Sequence, residues 1–291
     1  MKFVSARKVK TFLRLGIVGP AGSGKTYSAL AIMSALLPNG RIALIDTEAG
    51  SAALYGGIFA FDTVVLSDFH PRNYVAAIQL AHREGYDGVI VDSLSHAWAG
   101  TGGVLELHDS ATRKSKTGNS WTAWRDVTPF HNELVDTILQ TPIHLIGTMR
   151  TKVEYTQVQE DGKAKIKKLG TAAIQREGMD YEFGVILEMD LDNVGSVVKS
   201  RCPALTGKVF RTPGAQVAKI LKDWLESGED APAIAPSGAM PQEQAEFNLL
   251  ANNAIEAGRI TRDRVKQILT HTASDGQNDY RAASAALLQA A

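Results

Sequence analysis

Cysteine is nearly absent from this chain: Cys202 is the only one. No internal disulfide can form, which fits a reducing compartment and leads us to expect a cytoplasmic protein. Apolar runs are short, and none approaches the ~18 residues of a membrane-crossing helix. No membrane partner is therefore expected. The basic N-terminus, Met1 to Lys10, lacks the apolar stretch and cleavage site of a secretory leader. Net charge is also missing. Lys plus Arg and Asp plus Glu balance at 31 each, so there is no global pull toward nucleic acid, and any such affinity must be local. No internal repeat is found. What remains is ordinary: 291 residues, 44% of them hydrophobic, enough for one sizeable α/β core with an appendage.

Short apolar runs alternate with helical patterns. Leu13 to Val18, 41–46, 63–66, 88–92 and 143–147 read as strands, and Thr26 to Leu37, Asn73 to Arg83 and Thr122 to Leu139 read as helices. That alternation predicts a parallel sheet covered on both faces. After Met149 the pattern changes. Val153 to Val158 and Lys163 to Leu169 alternate around Glu160, Asp161 and Gly162, which predicts a hairpin. Three more strands follow, at 184–189, 195–199 and 208–210, and a helix over 215–225 closes the core. Residues 227–242, rich in Pro, Ala, Ser and Gly, read as a flexible linker. The remainder, 243–291, predicts two or three short amphipathic helices, with Gly258 ending one and Thr261 capping the next. The expected domains are a core over 1–226, the linker, and a helical region over 243–291.

The most informative stretch runs from Gly19 through Pro20, Ala21, Gly22, Ser23, Gly24 and Lys25 to Thr26, which matches G-x-x-x-x-G-K-[ST]. A predicted strand precedes it and a predicted helix follows, and that context gives the motif its meaning. Glycines let backbone N–H groups curl around phosphate oxygens, and a helix N-terminus adds partial positive charge. Lys25 is expected to reach β- and γ-phosphates and Thr26 to ligate Mg²⁺; Tyr27 completes the expected nucleotide-binding segment, with ATP and Mg²⁺ as cofactors.

Such a loop needs carboxylates. Asp92 follows Val89, Ile90 and Val91 at a strand's carboxyl edge and has the Walker B form, which predicts a second Mg²⁺ ligand. A strand Asp buried without metal or partner would be costly. Asp46 and Glu48 end an earlier strand. Glu48 is expected to orient the attacking water; the plainer alternative is that both residues cap the following helix.

The order of these elements, glycine loop, LIDTE, VIVDS and HLIGTMRTK, resembles the RecA superfamily core. The resemblance implies the fold class: an α/β RecA-like P-loop NTPase core, its mostly parallel central sheet flanked by helices, with antiparallel strands toward the C-terminal side and a small helical C-terminal appendage. In that family the catalytic Glu follows the strand after the glycine loop, as Glu48 does. Ordinary AAA+ ATPases place it beside the Walker B Asp, where this chain has Ser93. Thr148 sits where the family has a γ-phosphate sensor, commonly Gln. Lys199 and Arg201 match paired basic residues that reach a neighbour's ATP, which implies a homo-oligomer, ring or filament, with ATP between subunits; two solvated residues on an edge strand is the alternative. The further motifs YDGVIVDSLSHAW, WTAW, TMRTKVEY, KIKKLG, QREGMDYEF and KSRCPAL are similar to those of phage core-only RecA-like single-strand annealing proteins, over about Leu13 to Leu225. That likeness implies a DNA-stimulated ATPase acting in phage homologous recombination. Its partners would be single-stranded DNA, further copies of itself and a single-strand DNA-binding protein.

Two basic segments would meet DNA. Arg113, Lys114 and Lys116 lie near Trp121 and Trp124, cations and aromatic planes of the kind that single-strand binding uses. Spaced i and i+3, both tryptophans also fit a core-facing helix. The second segment carries Arg150, Lys152, Lys163, Lys165, Lys167, Lys168 and Arg176. Its alternating lysines would share one strand face as a phosphate-tracking ribbon, or simply a solvated one. The stretch from Phe3 to Ala6 has the F-x-x-A form that some recombinases insert into a neighbour; a staple of Phe3 against the first strand is the plainer alternative. Rival readings are a RecA-like DNA motor, an ATP-switched loader without significant catalysis, and a small-molecule kinase; the chain lacks an evident helicase accessory region or arginine-rich lid.

Overall fold

A computed structural model describes residues 5–115, 120–160, 163–229, 247–248, 250–251, 254–255, 259–272 and 279–290, with backbone alone for 153–170, 262 and 289–290. Phe3, Val4, Lys116, Gly258 and most of the expected linker lie outside these residues, as do the side chains of Lys163, Lys165, Lys167 and Lys168.

The first unit, Met1–Asp230, is built on one sheet. In chain order its elements are β1 (Arg14–Gly19), α1 (Lys25–Leu36), β2 (Ile42–Asp46), β3 (Asp62–Val65), α2 (Pro71–Arg83), β4 (Gly88–Asp92), α3 (Leu94–Ala99), α4 (Val104–Lys114) and α5 (Ser120–Gln140). β5 (His144–Glu160), β6 (Lys163–Ala173), α6 (Met179–Glu182), β7 (Val185–Met189), β8 (Val194–Ser200), β9 (Val209–Arg211) and α7 (Ala215–Glu226) follow. The strand order is β3-β2-β4-β5-β1-β7-β8-β9, with β6 paired to β5. From β3 across to β7 every pairing is parallel, whereas β8 and β9 are antiparallel to their neighbours. The expected architecture is the one observed: a mostly parallel sheet flanked by helices, antiparallel toward the C-terminal side.

The near-continuous apolar strands follow from burial on both faces. Alternate side chains of one strand point to opposite faces. Leu15, Ile17, Leu44, Ile90 and Ile146 join the layer with Leu30, Met33 and Leu221 of α1 and α7. Val18, Ile45, Val89, Val91 and Leu145 join Tyr74, Ile78, Leu134 and Ile138 of α2 and α5. The core therefore lies in two layers, and the carboxyl ends of β1, β2 and β4 share one edge between them.

β5 does not stop at the sheet edge. Its residues pair with β1 as far as Gly19 with Arg150, and from Thr151 with Ala173 onward the same strand pairs with β6, as a hairpin with one irregularity at Glu154/Tyr155. The expected hairpin is present in the backbone, continuous with the core strand. Residues 227–229 are not loose: Glu229 N–H donates to Lys8 O and Lys10 N–H to Glu229 O, both at 2.9 Å.

The second unit, Ala231–Ala291, contains α8 (Arg262–Thr272) and α9 (Tyr280–Ala290) around Phe247, Ile260, Ile268 and Leu287. Thr261 caps α8, its hydroxyl accepting from Arg264 N–H at 3.3 Å. Among the described residues no helix is long and apolar enough to cross a membrane.

Candidate functional site

The glycine loop leaves β1 and enters α1 through two left-handed residues, Gly22 and Gly24, both at φ 81°. A Cβ on Gly24 would stand 2.5 Å from Asn193 Oδ1, so a side chain here would strain the left-handed backbone and displace the Asn193 amide. The N–H groups of α1's first turn have no partner within the helix and face the loop's concavity. Lys25 Nζ donates to Pro20 O at 2.7 Å, which folds the side chain back over the cradle. Ser23 is fully buried beneath the loop.

Two threonines hold the Walker B carboxylate. Thr26 Oγ1 donates to Asp92 Oδ2 at 2.6 Å, and Thr148 Oγ1 donates to Asp92 Oδ1. Thr148 is fully buried and its hydroxyl is committed to Asp92. Expected at the terminal phosphate, its hydroxyl in this structure donates to the Asp92 carboxylate. Burial pushes the Asp92 carboxyl up, the hydrogen bonds from Thr148 and Thr26 pull it back down, and Glu48 and Asp46 push it up again. Burial likewise pushes the Lys25 ammonium down, Asp92 and Glu48 raise it, and Arg150 lowers it. Both groups are desolvated charges of the kind a phosphate and a divalent cation would compensate.

Asp46 and Glu48 divide the two roles considered for them. Asp46 is the cap: its Oδ1 accepts Glu48 N–H at 2.6 Å and its Oδ2 accepts Ala52 N–H at 2.9 Å, which shapes the turn before the short 3₁₀ helix Ser51–Tyr55. Glu48 instead turns into the cleft, where Arg150 Nε and Nη2 both donate to its Oε1, at 3.0 and 2.8 Å. Arg150, expected to face DNA, lines the same cleft as Glu48. Its backbone N–H donates to Ser95 Oγ at 2.8 Å. Behind them Thr47 Oγ1 accepts Ser93 N–H and sits 2.7 Å from His96 Nδ1, tying β2 to β4.

These groups line one cleft of about 480 Å³, walled by Lys25, Thr26, Glu48, Asp92 and Arg150. Several lining residues carry no sequence expectation, among them Leu54, Tyr55, Asn193 and Thr212. Tyr55 meets Tyr27 edge-on at 5.9 Å, giving the cleft an aromatic end. Asn193 and Thr212 adopt positive φ, 58° and 46°, and Thr212 N–H donates to Asn193 O at 2.8 Å. Strain of this kind is held where surrounding structure enforces it, and these two residues line the cleft, with Asn193 set directly against Gly24 of the loop.

The other expected residues lie elsewhere. Lys199 pairs with Ile186, level with Gly16 of β1, and Arg201 N–H donates to Gly184 O, level with Arg14. Three and five residues below Gly19, at ~3.3 Å each, they sit about 10 and 17 Å down the sheet from the glycine loop. Neither reaches its own chain's cleft. Lys199 Nζ donates to Asp180 O and Tyr181 O at 2.9 and 2.6 Å, and burial first, then Arg201, push its ammonium down. Arg113 and Lys114 occupy the exposed last turn of α4. Trp121 is 88% exposed. Trp124, by contrast, stacks on His108 at 4.2 Å and on Trp98 at 5.9 Å, so it takes the core-facing alternative. Lys152 is exposed at the base of the hairpin, and Arg176 is half-buried after β6.

The sequence matches the AAA domain family over residues 11–212, which spans the glycine loop, Glu48, Asp92, Arg150 and the Asn193–Thr212 wall. Among solved structures, the crystal structure of the RadB recombinase is similar at 18% identity, covering 77% of this chain and 93% of that one with a TM-score of 0.41. Curated proteins offer no match. With more than half its length matched, and the glycine loop and both carboxylates inside the match, the chain belongs to the AAA domain family and is a P-loop NTPase.

Proposed function

We propose that this protein is an ATP- and Mg²⁺-dependent, self-assembling, single-stranded-DNA-binding protein that promotes annealing or strand pairing in phage homologous recombination. The observation that carries the ATPase part is the convergence of Lys25, Thr26, Asp92 and Glu48 on one cleft. The donor set suits the metal: a hydroxyl and a buried carboxylate 2.6 Å apart are hard oxygen ligands on a rigid frame. Thr26 and Asp92 would hold Mg²⁺, which neutralises phosphate charge. Lys25 and the loop N–H groups bind the β- and γ-phosphates, Tyr27 and Tyr55 offer faces to the base, and Glu48 takes a proton from the attacking water.

The DNA part rests on sequence likeness and on the hairpin, which continues β5 outward from the cleft and carries Lys152, Lys163, Lys165, Lys167 and Lys168. Exposed Trp121 near Arg113 and Lys114 is a second candidate contact. Self-assembly is supported by Lys199 and Arg201, which lie down the sheet from their own glycine loop, level with Gly16 and Arg14, and by β3, an edge strand with exposed Val64 and Val65. Beside β3 a cavity of about 130 Å³, lined by Val64, Ala77, Leu80 and Tyr86, suits an apolar side chain such as Phe3 of a second copy.

The test is single-strand binding at several salt concentrations, followed by annealing of complementary oligonucleotides. Replacing Lys163, Lys165 and Lys167 with alanine should lower the salt slope by about 2, at ~0.7 per phosphate contact, with little dependence on base sequence. An unchanged slope would move the DNA contact to Arg113 and Lys114. Directional strand displacement would instead favour a motor, and absent turnover with DNA present would favour an ATP-switched loader.

A further inference from the structure

Among the described residues lining the cleft, Lys25 and Arg150 are the cations. Lys25 is accounted for by the loop motif. Arg150 is not, and its guanidinium is engaged by the very carboxylate that hydrolysis needs: Nε and Nη2 both donate to Glu48 Oε1. The side chains of this pair are 39% and 27% exposed, and water screens an ion pair of that exposure, so it is easily broken. A terminal phosphate offers the fork more charge and more oxygens than one carboxylate oxygen does. Thr148, two residues back on the same face of β5, cannot compete for that phosphate, because it is fully buried and donates to Asp92. The backbone of Arg150 is fixed by its pairing with Gly19, by Ser95 Oγ and by Ile174 N–H on its carbonyl at 2.7 Å. Only the side chain needs to move.

We propose that Arg150 senses the γ-phosphate: it holds Glu48 in the nucleotide-free chain and transfers to the terminal phosphate of bound ATP, freeing Glu48. This rests on the ATP reading above. In the step so released, the water oxygen bonds to the γ-phosphorus and the bond from phosphorus to the β–γ bridging oxygen breaks. Its electron pair leaves with ADP, and one water proton passes to Glu48. ADP ends at the β-phosphate and offers Arg150 no terminal γ-phosphate, so the Arg150–Glu48 pair closes again in the product state. A site built this way distinguishes tri- from diphosphate through one side chain.

The experiment is equilibrium titration of the full chain with ATPγS and with ADP, both with Mg²⁺, alongside melting curves. Arg150→Gln should weaken ATPγS at least tenfold and leave ADP within twofold. Arg150→Lys should fall between, since it keeps a charge and loses the fork. Glu48→Gln should do the reverse, tightening ATPγS without changing ADP, because it weakens the competitor for Arg150. A merely structural ion pair would move both nucleotides together; equal losses, or none, in Arg150→Gln overturn the proposal. If that variant does not fold, an unchanged ATPγS-to-ADP ratio in both Arg150→Lys and Glu48→Gln overturns it instead. A wild-type chain that binds neither nucleotide overturns the ATP reading and this inference with it. Loss of both nucleotides in Lys25→Ala alone keeps the ATP reading whatever Arg150 does.

Discussion

Thr148→Val removes one oxygen from the centre of the site and changes little else. The threonine is fully buried, and its hydroxyl donates to a buried carboxylate. A hydrogen bond to a charged group contributes about 1.5–3 kcal/mol. For a unit of this size each kcal/mol corresponds to roughly 2–4 °C, so the melting temperature should fall by about 3–12 °C. The sign of the pH dependence follows from Asp92. Burial holds its carboxyl above the ordinary value, and the Thr148 bond opposes that rise. A carboxyl raised on folding costs stability once the pH exceeds its folded value and costs none below its unfolded value. Loss of Thr148 raises it further, so the variant's deficit should be largest at neutral pH and shrink in acid. Mg²⁺-dependent nucleotide binding should likewise fail at a higher pH than in wild type, because a protonated Asp92 does not ligate. Melting curves and Mg²⁺ titrations across pH measure both. Unchanged melting together with abolished hydrolysis would refute the support role and return Thr148 to the phosphate.

Lys199→Ala/Arg201→Ala subunits should be inactive alone, yet recover part of their activity when mixed with Glu48→Gln subunits, since each damages a different half of a shared site. No recovery in assemblies shown to be mixed would exclude action in trans. Burial above all, then a nearby arginine, pushes His131 and His144 down to about 4. Their folded values lie below the unfolded one, so the stability they leave intact above pH 6.5 is lost as pH falls toward 4, on the order of 3 kcal/mol each. His131→Phe should flatten that loss in melting experiments, and an unaltered profile would contradict it. Trp124→Ala should cost melting temperature through lost packing, up to ~3 kcal/mol. Trp121→Ala should leave melting alone and weaken single-strand binding by roughly 1–3 kcal/mol; the opposite pattern would reverse the two assignments.

The glycine loop, its strand and its helix were legible because a local motif sat between two clear periodicities. So were the parallel strands, whose unbroken apolar runs reflect burial on both faces. α3 spans six residues, too few for a period to show, and α4 buries only Val104 and His108. Its basic end therefore shows no helical period in the sequence. The pair between Glu48 and Arg150 spans 102 positions and exists only because β2 and β5 flank β4. Asn193 and Thr212 reach the cleft through turns whose positive φ is not announced by glycine. For Thr148 the sequence offers only its family position, and no local pattern reveals that its hydroxyl donates to Asp92.

Phosphate release from ATP, in the presence of Mg²⁺ and single-stranded DNA, by wild type and by Glu48→Gln at saturating nucleotide, tests the account most directly. Wild type should turn over. Glu48→Gln should bind ATP and hydrolyse it on the order of 10²–10⁴ times more slowly, the range a positioned general base contributes. Equal turnover by the two proteins would contradict the assignment of Glu48 and of the cleft built around it.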